Sequence, residues 1–231
     1  MDHAKEGLRA LAESAARELE GATAQDVLRW AISTFGDRFV ISSSMGDGVL
    51  PSLAASVATG VDVVFLDTGY HFAETMGTRD AIAQVYDVNV RTVLPLLTVN
   101  QQDARYGAEL WRRDPDACCA LRKVEPLTRA LGDYDAYASG IRRDESPTRA
   151  GTAVVEWDER RGKVKVNPLA AWSQDDLDTY IADNNVLVNP LAEDGYPSIG
   201  CAPCTHRVAP GDDPRSGRWK GSQKTECGLH V

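Results

Sequence analysis

The apolar positions near the start of the chain recur at helical spacing. LRALAESAAREL carries one such stripe, and Thr23 stands where it can N-cap a second helix running towards Trp30 and Phe35. Residues 4–35 therefore predict two helices. RFVISSS (38–44) is short, β-branched and bounded by polar residues, the pattern of a buried strand. MGDG (45–48) and the helix-like VLPSLAASVA follow, giving strand, glycine-containing loop, helix.

The same order repeats. VDVVFLD (61–67) is a near-continuous apolar run, as expected of a strand buried on both faces, and it ends in Thr68-Gly69. A helix is predicted from His71 to about Tyr86, and NVRTVLPL (89–96) reads as a third strand. QQDARYGAEL is ambiguous between helix and loop. CCALRKVEPLTRAL (118–131) reads as a helix and DAYASGI (135–141) as a fourth strand. Alternating strands and helices predict an α/β fold, a mainly parallel sheet flanked by helices. Ligands of such sheets sit outside the carboxyl ends of the strands. After Gly151 the period changes to two: AVVEWDERRGKVKVNPL predicts a β-hairpin turning near Glu159–Gly162. Ser173 then N-caps SQDDLDTYIADNN, with acidic residues in the first turn. From Pro190 onward, Gly and Pro predict mostly loop.

Composition narrows the class. The 231 residues, 43% hydrophobic and 26% charged, describe an ordinary globular chain long enough to bury a core without disulfides. No apolar run approaches the roughly 18 residues of a membrane span. The start lacks the apolar stretch and cleavage site of a secretory signal. A net charge of −9 disfavours broad nucleic-acid or anionic-membrane binding. It leaves room for a small anion held by a local basic cluster. Residues 201–231 supply one, with five basic groups, Arg207, Arg215, Arg218, Lys220 and Lys224, against three acidic ones.

Five cysteines, Cys118, Cys119, Cys201, Cys204 and Cys227, make a poor disulfide framework. Cys201-Ala-Pro-Cys204 has the spacing of a metal knuckle. Vicinal side chains on a helix point about 100° apart and chelate one small ion poorly. They can bind different irons of one cluster, so the pattern favours a four-iron cluster over zinc. The bland alternative makes Cys118 and Cys119 small buried apolar residues and Cys201/Cys204 a redox pair. Cys227, alone in KTECGLHV near Lys224 and His230, reads as a nucleophile on a flexible arm or as an exposed spectator. SSSMGDG (42–48) has hydroxyls and backbone N–H groups able to cradle an oxyanion, but no Gly-Lys-Ser/Thr follows. GIRRDESPTR (140–149) sets three arginines after the fourth strand, suited to bidentate phosphate or sulfate binding or to a solvated turn. Lys123 follows Cys119 by four, on the same helical face. His71 and His206 are read as structural or surface groups, and no carboxylates pair for acid–base work.

Taken together, SSSMGDG, LDTGYHFAET, CCALRKVEPL, GIRRDESP, YPSIGCAPCT, RSGRW and KTECGLH resemble, in order, the motifs of the sulfonucleotide reductases. The likeness runs from about residue 38 to 230 and is greatest to the adenylyl-sulfate reductases that carry an iron–sulfur cluster. It implies an adenine-nucleotide α-hydrolase-like fold related to the ATP pyrophosphatases. Ser43 and Ser44 replace the glycines of the pyrophosphatase loop, and no Asp-Ser follows, which argues against ATP cleavage. The resemblance implies one [4Fe-4S] cluster on Cys118, Cys119, Cys201 and Cys204, and Cys227 as nucleophile towards adenosine 5′-phosphosulfate. Thioredoxin would release sulfite from the resulting S-sulfocysteine. Lys123, Arg215 and Arg218, with one or both of Arg142 and Arg143, would contact the phosphosulfate. Ser44, Leu66, Thr68 and Gly140 match adenosine-pocket positions.

The implied organisation is a single α/β nucleotide-binding domain with the iron–sulfur site at 1–210 and a flexible tail at 211–231 carrying the catalytic cysteine. The implied role is sulfate assimilation in the cytoplasm, with no nucleic-acid or membrane partner. A 3′-phosphoadenylyl-sulfate reductase, or an enzyme taking both nucleotides, is the competing enzyme reading. A metal-binding redox-sensing module with Cys227 as sensor is the competing class.

Overall fold

The computed structural model describes residues 3–222 and 224–229. Helices α1 (His3–Glu18) and α2 (Ala24–Phe35) lead into β1 (Phe39–Ser42), α3 (Val49–Val57), β2 (Val61–Leu66), α4 (Ala73–Val85) and β3 (Val88–Val93). Three short helices follow, α5 (Val99–Tyr106), α6 (Leu110–Arg113) and α7 (Pro115–Cys119). A π-turn at Ala120–Val124 joins α7 to α8 (Glu125–Ala130), and β4 (Ala136–Ser139), β5 (Val155–Asp158), β6 (Lys163–Val166) and α9 (Gln174–Asn184) complete the body.

One sheet runs in the order β3-β2-β1-β4-β6-β5. Every neighbouring pair is parallel except β5–β6, the expected hairpin, whose second strand lies parallel to β4. Alternation along β1 shows why the sheet is covered twice. Phe39 and Ile41 enter a large core with Ala12 and Ala15 of α1, Leu28 of α2, Leu53 of α3, Ile82 of α4 and Leu177 of α9. Val40 enters a smaller core with Val64, Leu127, Leu131 and Tyr137 on the other face.

Local chemistry sets the helix starts. The Thr23 and Ser173 side chains accept from the backbone N–H groups of Asp26 and Asp176, as expected, and Ser173 with Asp176 completes a capping box. Thr98 and Gln101 form another and resolve the ambiguous segment as helix. The predicted helix at His71 starts two residues later because His71 donates from Nε2 to the Leu66 carbonyl, 2.8 Å, and closes the strand end. The predicted helix over 118–131 is interrupted by the π-turn, which sequence periodicity did not register. The two strands on either side of β1 have connections that leave in opposite senses. The switch point of the sheet therefore lies between the carboxyl ends of β1 and β4, the place where such sheets take ligands, and Ser44 and Gly140 stand there. Among the described residues no helix is long and apolar enough to cross a membrane.

The hairpin is tied to the sheet by a buried polar group. Tyr137 donates to Asp158 at 2.8 Å and Arg161 donates to the same carboxylate oxygen at 2.7 Å. Burial pushes the Asp158 carboxyl up, but these donors outweigh it and hold its pKa below the ordinary carboxylate range. A depressed carboxylate stabilises the fold above its unfolded pKa of about 3.9, and that contribution fades as pH falls through the folded value. Asp158→Asn is expected to cost about 1.5–3 kcal/mol at pH 7 in urea unfolding, with a difference from wild type that narrows below pH ~4. A gap that is constant with pH would mean the charge is not what matters.

Candidate active site

Four of the five thiols converge. Cys118, Cys119, Cys201 and Cys204 line one cavity with Tyr70, Trp111, Trp219, Arg122 and Lys123. Two structural devices bring them there. On one side, Asp114 caps α7 by accepting from Ala117 N at 2.9 Å, which fixes the vicinal cysteines at the helix end. On the other, the Cys201–Cys204 knuckle is held by its backbone. Ala202 N donates to the Tyr70 carbonyl at 2.7 Å, Thr205 Oγ1 to the Cys201 carbonyl at 2.9 Å, and Trp219 N to the Cys204 carbonyl at 3.0 Å.

No disulfide joins the five cysteines. Burial, with the neighbouring sulfurs adding to it, pushes the Cys118 thiol up to about 12 and the Cys204 thiol to about 11. Burial also raises Cys119, against the pull of Lys123. Such thiols resist ionising by themselves, and a bound metal centre is what would hold them as thiolates. Among the described residues, no three His, Cys, Asp or Glu side chains gather closely enough for one ion. The four thiols instead sit around a shared cavity, the arrangement suited to a cluster with a ligand at each corner. Four thiols lining one cavity are a donor set that fits an iron–sulfur cluster.

Lys123 links this cavity to the tail. Burial alone would lower its ammonium pKa, but the Cys201 and Cys227 sulfurs beside it more than offset that and hold it above the ordinary lysine value. The tail expected to be flexible lies docked here over the residues described. Lys224 pairs with Asp116 and lies over the Trp219 ring, so its charge goes to α7. His230 lies outside the described residues. Cys227 is half-buried, and Leu229 packs on the smaller core.

The expected anion contacts divide. Arg142 is buried, donates to Gln174 at 2.7 Å, and its Nη1 is buried without a hydrogen-bond partner among the described residues. Arg143 points elsewhere: its guanidinium donates to the Thr152 carbonyl at 2.7 Å and to Glu20 at 2.6 Å. Arg215 donates to the Thr225 carbonyl and pairs with Glu226 at 3.1 Å. Arg218 donates to Ser198 at 3.1 Å, stacks on Trp219 at 4.5 Å, and leaves Nε buried without a partner among the described residues. Ser44 is exposed at the end of β1 and Gly140 at the end of β4. Thr68 faces the cysteines, its hydroxyl 3.3 Å from the Cys201 sulfur. Leu66 packs in the smaller core while its carbonyl accepts from His71.

Three features escaped the sequence reading. Arg122, inside CCALRK, donates to the Thr68 and Leu97 carbonyls and to Gln102, and stacks on Tyr70. Asp47 has its carboxyl pKa raised by burial and by Glu145, against Arg142, and caps α3 through Val49 N at 2.9 Å. Arg149 meets Glu226 from 77 residues away. The third arginine of GIRRDESPTR and the glutamate of ECGLH were both visible, but nothing in the sequence paired them.

Residues 38–207 match the model of the phosphoadenosine phosphosulfate reductase domain. An adenosine 5′-phosphosulfate reductase of Streptomyces coelicolor is 63% identical over 225 residues, covering 97% of this chain and 95% of that protein. One of Mycolicibacterium smegmatis is 58% identical, with 97% and 95% covered. The crystal structure of a phosphoadenylyl-sulfate reductase from Candida auris in a phosphate complex superposes with a TM-score of 0.72 at 29% identity, over 84% of this chain and 96% of that one. Yeast FAD synthetase, at 14% identity and a TM-score of 0.57 over 87% and 76% of the two chains, shares the fold.

Gly200 is the place to probe Arg218. A Cβ there would collide with the Arg218 guanidinium, a flexible side-chain end that can move aside. Gly200→Ala is therefore expected to keep the fold and to weaken binding of adenosine 5′-monophosphate about 10-fold or more in calorimetry, the loss of one charge-assisted hydrogen bond. Gly132→Ala, with open space around it, is the control. Unchanged affinity in Gly200→Ala would remove Arg218 from the anion site.

Proposed function

The chain belongs to the sulfonucleotide reductase family, and from that premise we propose that it reduces adenosine 5′-phosphosulfate to sulfite and AMP in sulfate assimilation. The observation that carries this reading is the convergence of Cys118, Cys119, Cys201 and Cys204 on one cavity that Lys123 also lines.

The residues divide the work as follows. The switch point at the ends of β1 and β4 takes the adenosine, with Ser44 and Gly140 beside it. Lys123, Arg142, Arg215 and Arg218 neutralise the phosphosulfate, and the unpartnered nitrogens of Arg142 and Arg218 are donors left for it. Arg143, committed to Glu20 and Thr152, stands outside this group. The Cys227 thiolate attacks the substrate sulfur, the S–O bond to phosphate breaks, and AMP leaves with that electron pair. The S-sulfocysteine so formed is attacked at the Cys227 sulfur by a thiol of thioredoxin. Sulfite leaves with the S–S bonding pair, and a mixed disulfide remains. The second thioredoxin thiol frees Cys227, so the two electrons come from the thioredoxin dithiol.

Cys118, Cys119, Cys201 and Cys204 would hold one [4Fe-4S] cluster. Bound there, the cluster supplies a structural cross-link and a fixed charge beside Lys123, and the electron count of the reaction closes without it. Reduced thiols and a thioredoxin partner would suit a reducing compartment such as the cytoplasm.

Two measurements test the reading. Cys227→Ser is expected to bind nucleotide but to show no S-sulfo adduct by intact mass, where wild type without reductant shows one. An adduct on the variant removes Cys227 from the mechanism. Anaerobically purified protein with thioredoxin is expected to release sulfite from adenosine 5′-phosphosulfate with kcat/KM at least ~10-fold above that for the 3′-phosphorylated nucleotide. The reverse preference would keep the chemistry and change the substrate. No sulfite from either would favour the sensor reading.

A further inference from the structure

We propose that Arg149 is a positioning residue for the reaction, acting through Glu226 to hold the Cys227 thiol at the site. The proposal rests on the reading of Cys227 as nucleophile. Arg149 lies in the loop after β4, and its side chain is only 10% exposed. Its Nε and Nη2 donate to the two carboxylate oxygens of Glu226 at 2.8 and 2.7 Å, a bidentate pair. The Glu226 side chain is 9% exposed and also accepts from Thr148 Oγ1 at 3.2 Å. The third Arg149 nitrogen, Nη1, donates to Glu145 at 2.5 Å, and the same Glu145 oxygen accepts from the Arg142 backbone at 3.0 Å. The arginine is thus fixed by its own loop before it reaches the tail.

Glu226 immediately precedes Cys227. On the other side of the cysteine, the Gly228 and Leu229 carbonyls accept from Arg160 at 3.4 Å and Arg161 at 3.3 Å. The nucleophile is therefore held from both flanks, and the Arg149 flank is the bidentate, charge-paired one. With its guanidinium committed to two carboxylates, Arg149 is not a phosphosulfate ligand. Its effect on rate must come through the location of the sulfur. A displacement of about 1 Å in a reacting atom can cost on the order of 100-fold in rate.

The test uses full-length, cluster-loaded protein, wild type against Arg149→Ala, Arg149→Lys, Glu226→Gln and Arg149→Ala/Glu226→Gln. Three quantities are read: the single-turnover rate of S-sulfo-Cys227 formation from adenosine 5′-phosphosulfate, the Kd of AMP, and hydrogen exchange of the 224–229 amides. Arg149→Ala and Glu226→Gln are each expected to form the adduct about 10- to 100-fold more slowly, with AMP affinity within ~3-fold of wild type in Arg149→Ala, the variant that leaves the Arg215–Glu226 pair in place. Tail amides should exchange faster in both. The double variant should be no slower than the worse single variant, since both single variants break the Arg149–Glu226 pair. Arg149→Lys should recover part of the rate. Adduct formation at the wild-type rate in Arg149→Ala would overturn the proposal, as would a defect confined to AMP affinity or single effects that multiply. Tail exchange unchanged in both Arg149→Ala and Glu226→Gln would equally overturn it. Failure of wild type to form any adduct on Cys227 is the distinguishable case that would sink the nucleophile reading and this inference with it.

Discussion

Arg122 is the group on which the site's geometry depends. Its guanidinium is buried, and it ties two separate segments together: the Thr68 carbonyl beyond β2, and the start of α5 through the Leu97 carbonyl and Gln102. The residue three places before it is Cys119 and the residue after it is Lys123. Fixing Arg122 therefore fixes both the vicinal cysteines and the lysine against the sheet. Gly69 makes this possible. Its φ of +71° suits glycine, and a Cβ there would press on Arg122 Nη2 and on Val99, both at 3.1 Å. A hydrogen bond from a charged group is worth about 1.5–3 kcal/mol, so the arrangement has little freedom to drift. The π-turn at Ala120–Val124 falls at this point. It changes the angular relation between the cysteines before it and the two cations within it, which a regular helix would have set differently.

Charge is distributed against the average. A chain of net charge −9 gathers Lys123, Arg142, Arg149, Arg215 and Arg218 around the tail and the switch point. Most of these cations already have partners. Arg149 and Arg215 share Glu226, and burial beside Arg149 lowers the Arg215 pKa. Clustered cations would repel one another in the absence of an anion, and the internal carboxylates of Glu145 and Glu226 relieve this. The site is in this sense preorganised: its positive charge is held in place by protein anions rather than assembled when substrate arrives.

The sequence was most readable where one physical pattern dominates. Strands β1 and β2 are apolar runs buried on both faces, β3 keeps alternating apolar positions at the sheet edge, and the hairpin alternates at period two, so each announced itself. Capping by Thr23 and Ser173 depends on neighbours two or three residues away and was equally legible. The cysteine set was readable because its spacing limits what it can bind. What escaped was long-range pairing between residues of ordinary type. Arg143 and Arg142 are adjacent in a basic motif, yet one goes to Glu20 and the other stays beside Gln174. Nothing local distinguishes them. Thr68 was read as a nucleotide contact, and the structure turns its hydroxyl to Cys201, a residue 133 positions away.

The docked tail also explains why its clamps are of the kind they are. In the proposed mechanism, a thiol that first meets a small anion and then a protein thiol must present the same sulfur to two different partners. Apolar burial of the whole tail would oppose the second encounter, because each exposed Å² of apolar surface costs about 25 cal/mol. Here only Leu229 of the described tail joins a core cluster, whereas the segment's other anchors are ion pairs and carbonyl contacts from Arg149, Arg160, Arg161 and Arg215. Such contacts are directional and set a position sharply. They also lose little when released into water, since the net worth of a hydrogen bond there is only about 0.5–1.5 kcal/mol. A polar latch with one apolar foot would thus reconcile accurate placement of Cys227 with the release to a protein thiol that the proposed mechanism requires.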